Sequence, residues 1–197
     1  MSHYIFKPMP SNGYGDHAFT TWVDAMSSDE IEAVVRLAEE REKKSAALGG
    51  AILNKEYRSS SVSWIGYSQE TEWVFDRIAH IVSNINSQFY GFDLHGMCED
   101  IQFTEYYASE NGHYDWHQDS GSNTASPRKL SIVIQLSDPA DYDGGDLQIL
   151  ASKEPINVDK KLGFAAVFPS FMLHRVTPVT RGTRRSLVAW IAGPKFR

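Results

Sequence analysis

Three residues constrain this chain more than any others. His117 and Asp119 are separated by one residue in Tyr114-Asp115-Trp116-His117-Gln118-Asp119, and His174 lies far downstream in Leu173-His174-Arg175-Val176-Thr177-Pro178. On an extended strand alternate side chains share a face, so His117 and Asp119 can offer an imidazole nitrogen and a carboxylate oxygen to one ion. His174 is then the third ligand, and the strand that carries it must come alongside. Two histidines and one carboxylate on one face of an octahedral ion leave positions open, which suits non-haem iron(II). Neutral imidazoles with an ionised carboxylate also prefer a borderline divalent metal to calcium or magnesium. His113 and Asp115 repeat the same spacing and are the competing location.

Hydrophobic periodicity supplies the framework. Ser27-Ser28-Asp29-Glu30 forms a capping box ahead of Ile31, Val34, Val35 and Ala38, one face of a helix expected to run to about Lys43. Its charged face, from Glu32 through Arg36 and Glu39 to Lys43, reads as solvated surface. Trp73, Val74, Ile78, Ile81, Val82, Ile85 and Phe89 mark a second helix from about Glu70 to Phe89. Before the first helix, Pro8, Pro10, Gly13 and Gly15 give an irregular lead-in. From Asp100 the pattern changes to strands: Ile101 to Tyr107, Lys129 to Leu136, Asp146 to Leu150, Phe164 to Phe168, Met172 to Val176 and Ser186 to Ile191. With Arg58 to Trp64 this makes about eight short strands behind two helices. The expected class is mainly β with flanking α: a double-stranded β-helix, or jelly roll, with the N-terminal helices packed on one sheet. No repeat, linker or low-complexity tract interrupts the sequence, so one domain over residues 1–197 is expected, helical at about 20–95 and jelly roll at about 100–193.

Composition narrows the function classes. With 197 residues, 42% of them hydrophobic, the chain can bury a core as one domain. A net charge of −6 argues against nucleic-acid or anionic-membrane partners. The single cysteine, Cys98, excludes an intramolecular disulfide and fits a cytoplasmic, reducing setting, where it is expected to be a small buried apolar residue. Neither a signal peptide nor a membrane-spanning stretch is legible.

The segment from Tyr107 to Trp190 resembles the Fe(II)/2-oxoglutarate dioxygenases, specifically the prolyl 4-hydroxylase-like and PKHD-type hydroxylase branch. The resemblance is carried by Tyr114-x-x-His117-x-Asp119, Arg128-x-Leu130-Ser131, Asp138-Pro139-Ala140-Asp141-Tyr142-Asp143-Gly144-Gly145-Asp146-Leu147 and Phe168-Pro169-Ser170-x-x-x-His174-Arg175-Val176. It continues through Arg181-Gly182-Thr183-Arg184-Arg185-Ser186 to Trp190. It implies hydroxylation of an unactivated C–H bond, coupled to oxidative decarboxylation of 2-oxoglutarate. Iron(II), 2-oxoglutarate and O2 are then required, and ascorbate is admitted as a reductant.

By that resemblance His117, Asp119 and His174 hold the metal and Arg184 binds the far carboxylate of 2-oxoglutarate, for which a guanidinium offers two parallel donors. Ser186 lies two residues along the same strand face, and Gln135 and Tyr107 are further candidates for the co-substrate. The family has one residue fewer before the histidine, which leaves Tyr106 as the alternative to Tyr107 and suggests a bulge. Arg181 and Arg185 read as surface charges, Trp190 as packing, and Gly144-Gly145 as a tight turn flanked by ordinary turn acids. Arg58, in Arg58-Ser59-Ser60, resembles the substrate-side strand of prolyl hydroxylases, and residues 46–57 before it are a candidate lid. Tyr114 and Trp116 are candidate walls of a substrate pocket. The implied substrate is a prolyl residue in a peptide or protein, with a free amino acid or another small molecule as alternative. A metal-binding jelly roll without oxygenase activity is the rival class, but it has no use for Arg184. Demethylation of nucleic-acid bases is disfavoured by the acidic balance and by the tryptophan at position 190.

Overall fold

The computed structural model describes residues 17–45, 55–121, 125 and 127–194. The expected lead-in before residue 17 and positions 46–54 of the candidate lid lie outside them.

The first helix, Ser28–Glu39, starts where the capping box predicts: the Ser27 hydroxyl accepts from Glu30 N, and the Glu30 carboxylate accepts from Ser27 N at 2.8 Å. Ile31, Val34, Leu37 and Ala38 form its buried face. It ends before Lys43, because Arg41 N turns back to the Ala38 carbonyl. Lys43 is therefore not on the helix surface but pairs with the buried carboxylate of Glu105 at 2.7 Å. The second helix, Glu72–Ile85, passes into a π turn, Asn86–Tyr90, closed by Gly91 in the left-handed region.

All strand pairings are antiparallel. An eight-stranded major sheet runs Thr20–Trp22, Ala165–Pro169, Arg128–Gln135, Thr183–Ala192, Ile101–Tyr107, Ser61–Ile65, Lys44–Ser45, with Gly96–Met97 beside Thr183–Ala192. A five-stranded minor sheet runs Ile156–Asn157, Leu147–Ile149, His174–Val176, His113–His117, Arg58–Ser59. A two-stranded ribbon joins Val179–Arg181 to Asp143–Gly144. Several of these strands are only two or three residues long, too short to leave a period in the sequence, so the strands outnumber the eight expected. The Arg58 segment is also not one strand. It breaks at Ser60, with Arg58–Ser59 pairing in the minor sheet and Ser61–Ile65 in the major sheet, so it crosses the corner between them.

Strand alternation sorts the major sheet into two faces. Leu187, Ala189, Ile191, Phe103, Ile101, Ile132 and Ile134 pack with Val34, Ile78 and Ile81 of the helices. Fully burying one such side chain contributes about 1.5–3 kcal/mol. The opposite face meets the minor sheet through Tyr106, Val133, Ala166, Phe168, Leu147, Ile149 and Val176. This is the jelly roll, and its inter-sheet layer also receives Arg184, Ser186, Gln135 and Ser131, all buried. Cys98 is exposed rather than buried, because it follows a two-residue edge strand and lies outside both cores.

Candidate metal and carboxylate site

His117 is the last residue of its strand and lies opposite His174 in the register. The ladder then shifts, so that Val176 faces Tyr114: between the two pairs, Asp115 and Trp116 of one strand oppose Arg175 alone on the other. The bulge puts Tyr114 and His117 on one face, their rings stacked at 3.5 Å and 13°. Asp119 lies beyond the strand end, so simple alternation does not place it. Its backbone N–H is bonded to the Ser170 carbonyl at 2.9 Å, and Ser131 Oγ donates to its Oδ2 at 2.7 Å.

The three side chains converge. Asp119 Oδ1 lies 3.8 Å from His117 Nε2, and Oδ2 lies 3.5 Å from His174 Nε2. One ligand atom from each lies within 4.8 Å of the others, and among the described residues no other such group occurs. Each Nδ1 is turned to a backbone carbonyl, His117 to Asp115 at 2.7 Å and His174 to Met172 at 2.9 Å. Those bonds set the tautomer and leave both Nε2 lone pairs facing the carboxylate, the arrangement of a metal-ligating imidazole.

Burial first, and the neighbouring His174 second, hold His117 down to about 3. Burial pushes the Asp119 carboxyl up, but His174, His117, the Ser131 hydroxyl and Trp190 together bring it below its ordinary value. A neutral His117 beside an ionised Asp119 is the state that binds a divalent metal. The competing pair does not converge on this point. The ring nitrogens of His113 meet the carbonyls of Asn111 and Glu56, at 2.7 and 3.0 Å, and Asp115 bonds the Trp116 N–H.

On the facing sheet Arg184 is 1% exposed. It donates to Gln135 Oε1 at 2.9 Å and Ser186 Oγ at 3.2 Å and stands 5.4 Å from the centre of the Tyr106 ring. Its Nε has no partner, and no carboxylate pairs with it among the described residues. Tyr107 is not part of this group. The register pairs Tyr106 with Arg184 and Tyr107 with Thr183, so Tyr107 faces the helices and bonds Glu105 at 2.7 Å. Tyr106 occupies the position expected for Tyr107, because the 3-10 turn Ala108–Glu110 and the bulge both fall between it and His117. Arg185 also turns to the helix side, to Glu105 at 3.1 Å, and Arg181 pairs with Asp143 at the surface.

Arg58 lies 4.4 Å over the Tyr114 ring, extending a stack that continues through His117 and His174 to Phe168. Trp116 is not beside it. The bulge sends Trp116 to the outer face, under the Arg175 guanidinium at 4.6 Å. Three contributors escaped the sequence reading. Ser131 holds Asp119, and Trp190, read as packing, lies near enough to that carboxylate to hold it down. Tyr142 is buried beside Arg184. Ser131 and Trp190 share the face of Gln135 and Arg184 by alternation, which was the available signal.

The jelly roll thus brings together a buried two-histidine, one-carboxylate triad that could hold one metal ion and a buried arginine with no acidic partner among the described residues. The comparisons point the same way. Residues 101–192, just under half of the chain, match the model of the 2OG-Fe(II) oxygenase superfamily. A PKHD-type hydroxylase of Synechococcus sp. (strain CC9311) is 38% identical over 82 residues, covering 42% of this chain and 37% of that protein. One from Azoarcus sp. (strain BH72) is 38% identical over 87 residues, covering 42% and 38%. The matched stretch thus spans less than two fifths of those relatives. Among solved structures, a Pseudomonas putida prolyl-4-hydroxylase superposes with TM-score 0.71 at 23% identity, over 90% of this chain and 94% of that one. A Trichoplax adhaerens prolyl hydroxylase, in complex with a hypoxia inducible factor oxygen degradation domain peptide fragment, superposes with TM-score 0.75 at 16% identity, over 89% and 84%. These two share the fold.

Proposed function

We propose that this protein is an iron(II)- and 2-oxoglutarate-dependent dioxygenase that hydroxylates an unactivated C–H bond, with a prolyl residue in a peptide or protein as substrate. The observation that carries the reading is Arg184. A guanidinium so deeply buried without an acid in reach is costly unless an anion completes it. It lies in the same inter-sheet layer as a triad whose free lone pairs already face one point. The donor set fits iron(II): His117 Nε2, His174 Nε2 and the Asp119 carboxylate would hold it, leaving room for a bidentate 2-oxo acid. When bound, iron(II) supplies the oxygen activation that couples decarboxylation of 2-oxoglutarate to C–H hydroxylation.

The rest of the work is positioning. Arg184 takes the far carboxylate of 2-oxoglutarate, and Gln135 and Ser186 hold the guanidinium in place. Ser131 fixes the rotamer of Asp119, and the Asp115 and Met172 carbonyls fix both imidazoles. Burial keeps water from competing for these groups. Arg58 and Tyr114, stacked on the outer side of His117, are the substrate-side wall. The prolyl assignment is supported by the names of the fold's neighbours, and hydroxylation by those of the PKHD-type relatives. We read residues 1–197 as one catalytic domain. The lone cysteine supports a reducing, intracellular setting, and no described helix is long and apolar enough to cross a membrane.

The test is succinate formation by the iron-loaded protein with proline-containing peptides, free proline, other amino acids and oligonucleotides. Iron-dependent succinate stimulated by prolyl peptides, with hydroxyproline in the product, is expected. Stimulation by oligonucleotides alone, or by a metabolite that is not an amino acid, would refute the prolyl assignment, and absence of succinate would refute the oxygenase reading.

A further inference from the structure

Two buried polar atoms next to each other lack partners: Arg184 Nε and the hydroxyl of Tyr142. Tyr142 is 2% exposed and comes from the Asp138 to Asp146 segment, not from the strands that carry the rest of the site. Its place is fixed from behind by Lys160, whose ammonium stands 5.1 Å from the ring centre. Lys160 is itself anchored on the Gly144 carbonyl at 2.6 Å and on Asp146 at 2.8 Å. In front, Gly145 has a φ of +62°, and a Cβ there would meet Arg184 Cδ at 2.9 Å and Tyr142 Cε2 at 3.4 Å. The glycine turn therefore lets the phenol close on the guanidinium. Burial pushes the phenol up, against the lowering effect of Arg184, so it stays a protonated donor at neutral pH.

A buried hydroxyl without a partner is seldom tolerated unless a ligand supplies one. Here it adjoins a cation that also lacks its counterion. We propose that Tyr142 is a specificity-determining residue of the co-substrate pocket, its phenolic O–H donating to the same distal carboxylate that Arg184 binds. The inference rests on the 2-oxoglutarate reading above. It makes the pocket selective for a 2-oxo acid that ends in a second carboxylate, because a monocarboxylic 2-oxo acid leaves both Tyr142 and Arg184 unanswered.

The experiment compares wild type with Tyr142→Phe, iron-loaded and without oxygen, titrated with 2-oxoglutarate and with 2-oxobutyrate, which lacks the distal carboxylate. Loss of a hydrogen bond to a charged group lowers 2-oxoglutarate affinity roughly 10-fold or more. Affinity for 2-oxobutyrate and iron content should not change, so the ratio of the two affinities collapses. An unchanged ratio overturns the assignment, whether neither affinity moves or both fall together, as they would for a packing role. A wild type that binds no 2-oxo acid overturns the oxygenase reading instead and takes this one with it. If Tyr142→Phe does not fold, protein made with 3-fluorotyrosine replaces it. One fluorine resonance should shift with 2-oxoglutarate and not with 2-oxobutyrate, and the lack of any such shift overturns the proposal.

Discussion

Arg184 and Arg185 are neighbours in sequence on opposite faces of one strand, and replacing each by methionine should give opposite results. Arg184 makes two hydrogen bonds within the chain, at 2.9 and 3.2 Å, and has no acidic partner among the described residues. A buried cation in that state opposes folding, and methionine fills much of its volume. Arg184→Met should therefore leave the ligand-free protein within about 1 kcal/mol of wild type. Affinity for 2-oxoglutarate should fall by roughly 1.5–3 kcal/mol, on the order of 10- to 100-fold, while iron is retained. Arg185 instead bonds Glu105 at 3.1 Å, a carboxylate that is only 2% exposed. Lys43 and Tyr107, both at 2.7 Å, still hold Glu105 when Arg185 is gone. Arg185 is also 36% exposed, so solvent screening reduces the loss to about 1 kcal/mol. Arg185→Met should lower the urea midpoint by that amount and leave 2-oxoglutarate binding unchanged. Anaerobic titrations and urea unfolding of both variants make the check. Equal weakening of 2-oxoglutarate binding by the two substitutions would mean that the facing of this strand has been misread.

Three further outcomes follow from the site. His117→Ala, Asp119→Ala and His174→Ala should each abolish binding of one iron(II) equivalent, whereas His113→Ala and Asp115→Ala should retain it. Metal analysis after loading decides this, and iron lost from His113→Ala but kept in His117→Ala would move the site. Gly145→Ala adds a Cβ at a φ of +62°, 2.9 Å from both Arg184 Cδ and Val179 Cγ2. It should cost about 1–3 kcal/mol in urea unfolding and weaken 2-oxoglutarate binding, unlike alanine at an open surface glycine. In the metal-free protein His117 is held down to about 3 against an ordinary 6.5, so the unfolded chain takes up a proton that the folded chain refuses. Stability should therefore fall as pH drops below about 6.5 and keep falling toward about 3, with Asp119 adding to the loss in the acid range. Urea midpoints at about pH 7 and about pH 4.5 should differ less in His117→Gln than in wild type, and an equal difference would remove His117 as the cause.

The triad and Arg184 were legible because each sits in a segment whose residue types are tied to its chemistry. The helices were legible for a simpler reason: Ile31, Val34 and Ala38, or Val74, Ile78, Ile81 and Ile85, repeat over enough turns to leave a period. The length of the first helix was not, because its end depends on Arg41 folding back and on Lys43 finding Glu105, a residue from a distant strand. Tyr106 and Tyr107 could not be separated from the sequence alone. Which of them faces inward depends on the cross-strand register with Arg184, and a shift of one residue exchanges the two faces. Trp116 was misplaced for a related reason, since period-two counting fails across an irregular ladder. Tyr142 carried no periodic signal, because it lies in a loop and only packing brings it to Arg184.

The irregular ladder between His174–Val176 and Tyr114–His117 also bears on how the protein tolerates insertions and deletions. His117 is fixed from its C-terminal side, through Asp119 and its bond to Ser170, and from across the sheet by His174. Tyr114 is fixed by the strand before the bulge, where it pairs with Arg58. Removing one residue at 115 or 116 would restore the regular ladder with Tyr114 two residues before His117, and so still on its face, with the metal ligands left in place. A relative that is one residue shorter here keeps both its ion site and the ring beside it and gives up only the outward bulge, so chain length between these two points can vary the outer surface, where Trp116 meets Arg175, without touching the metal.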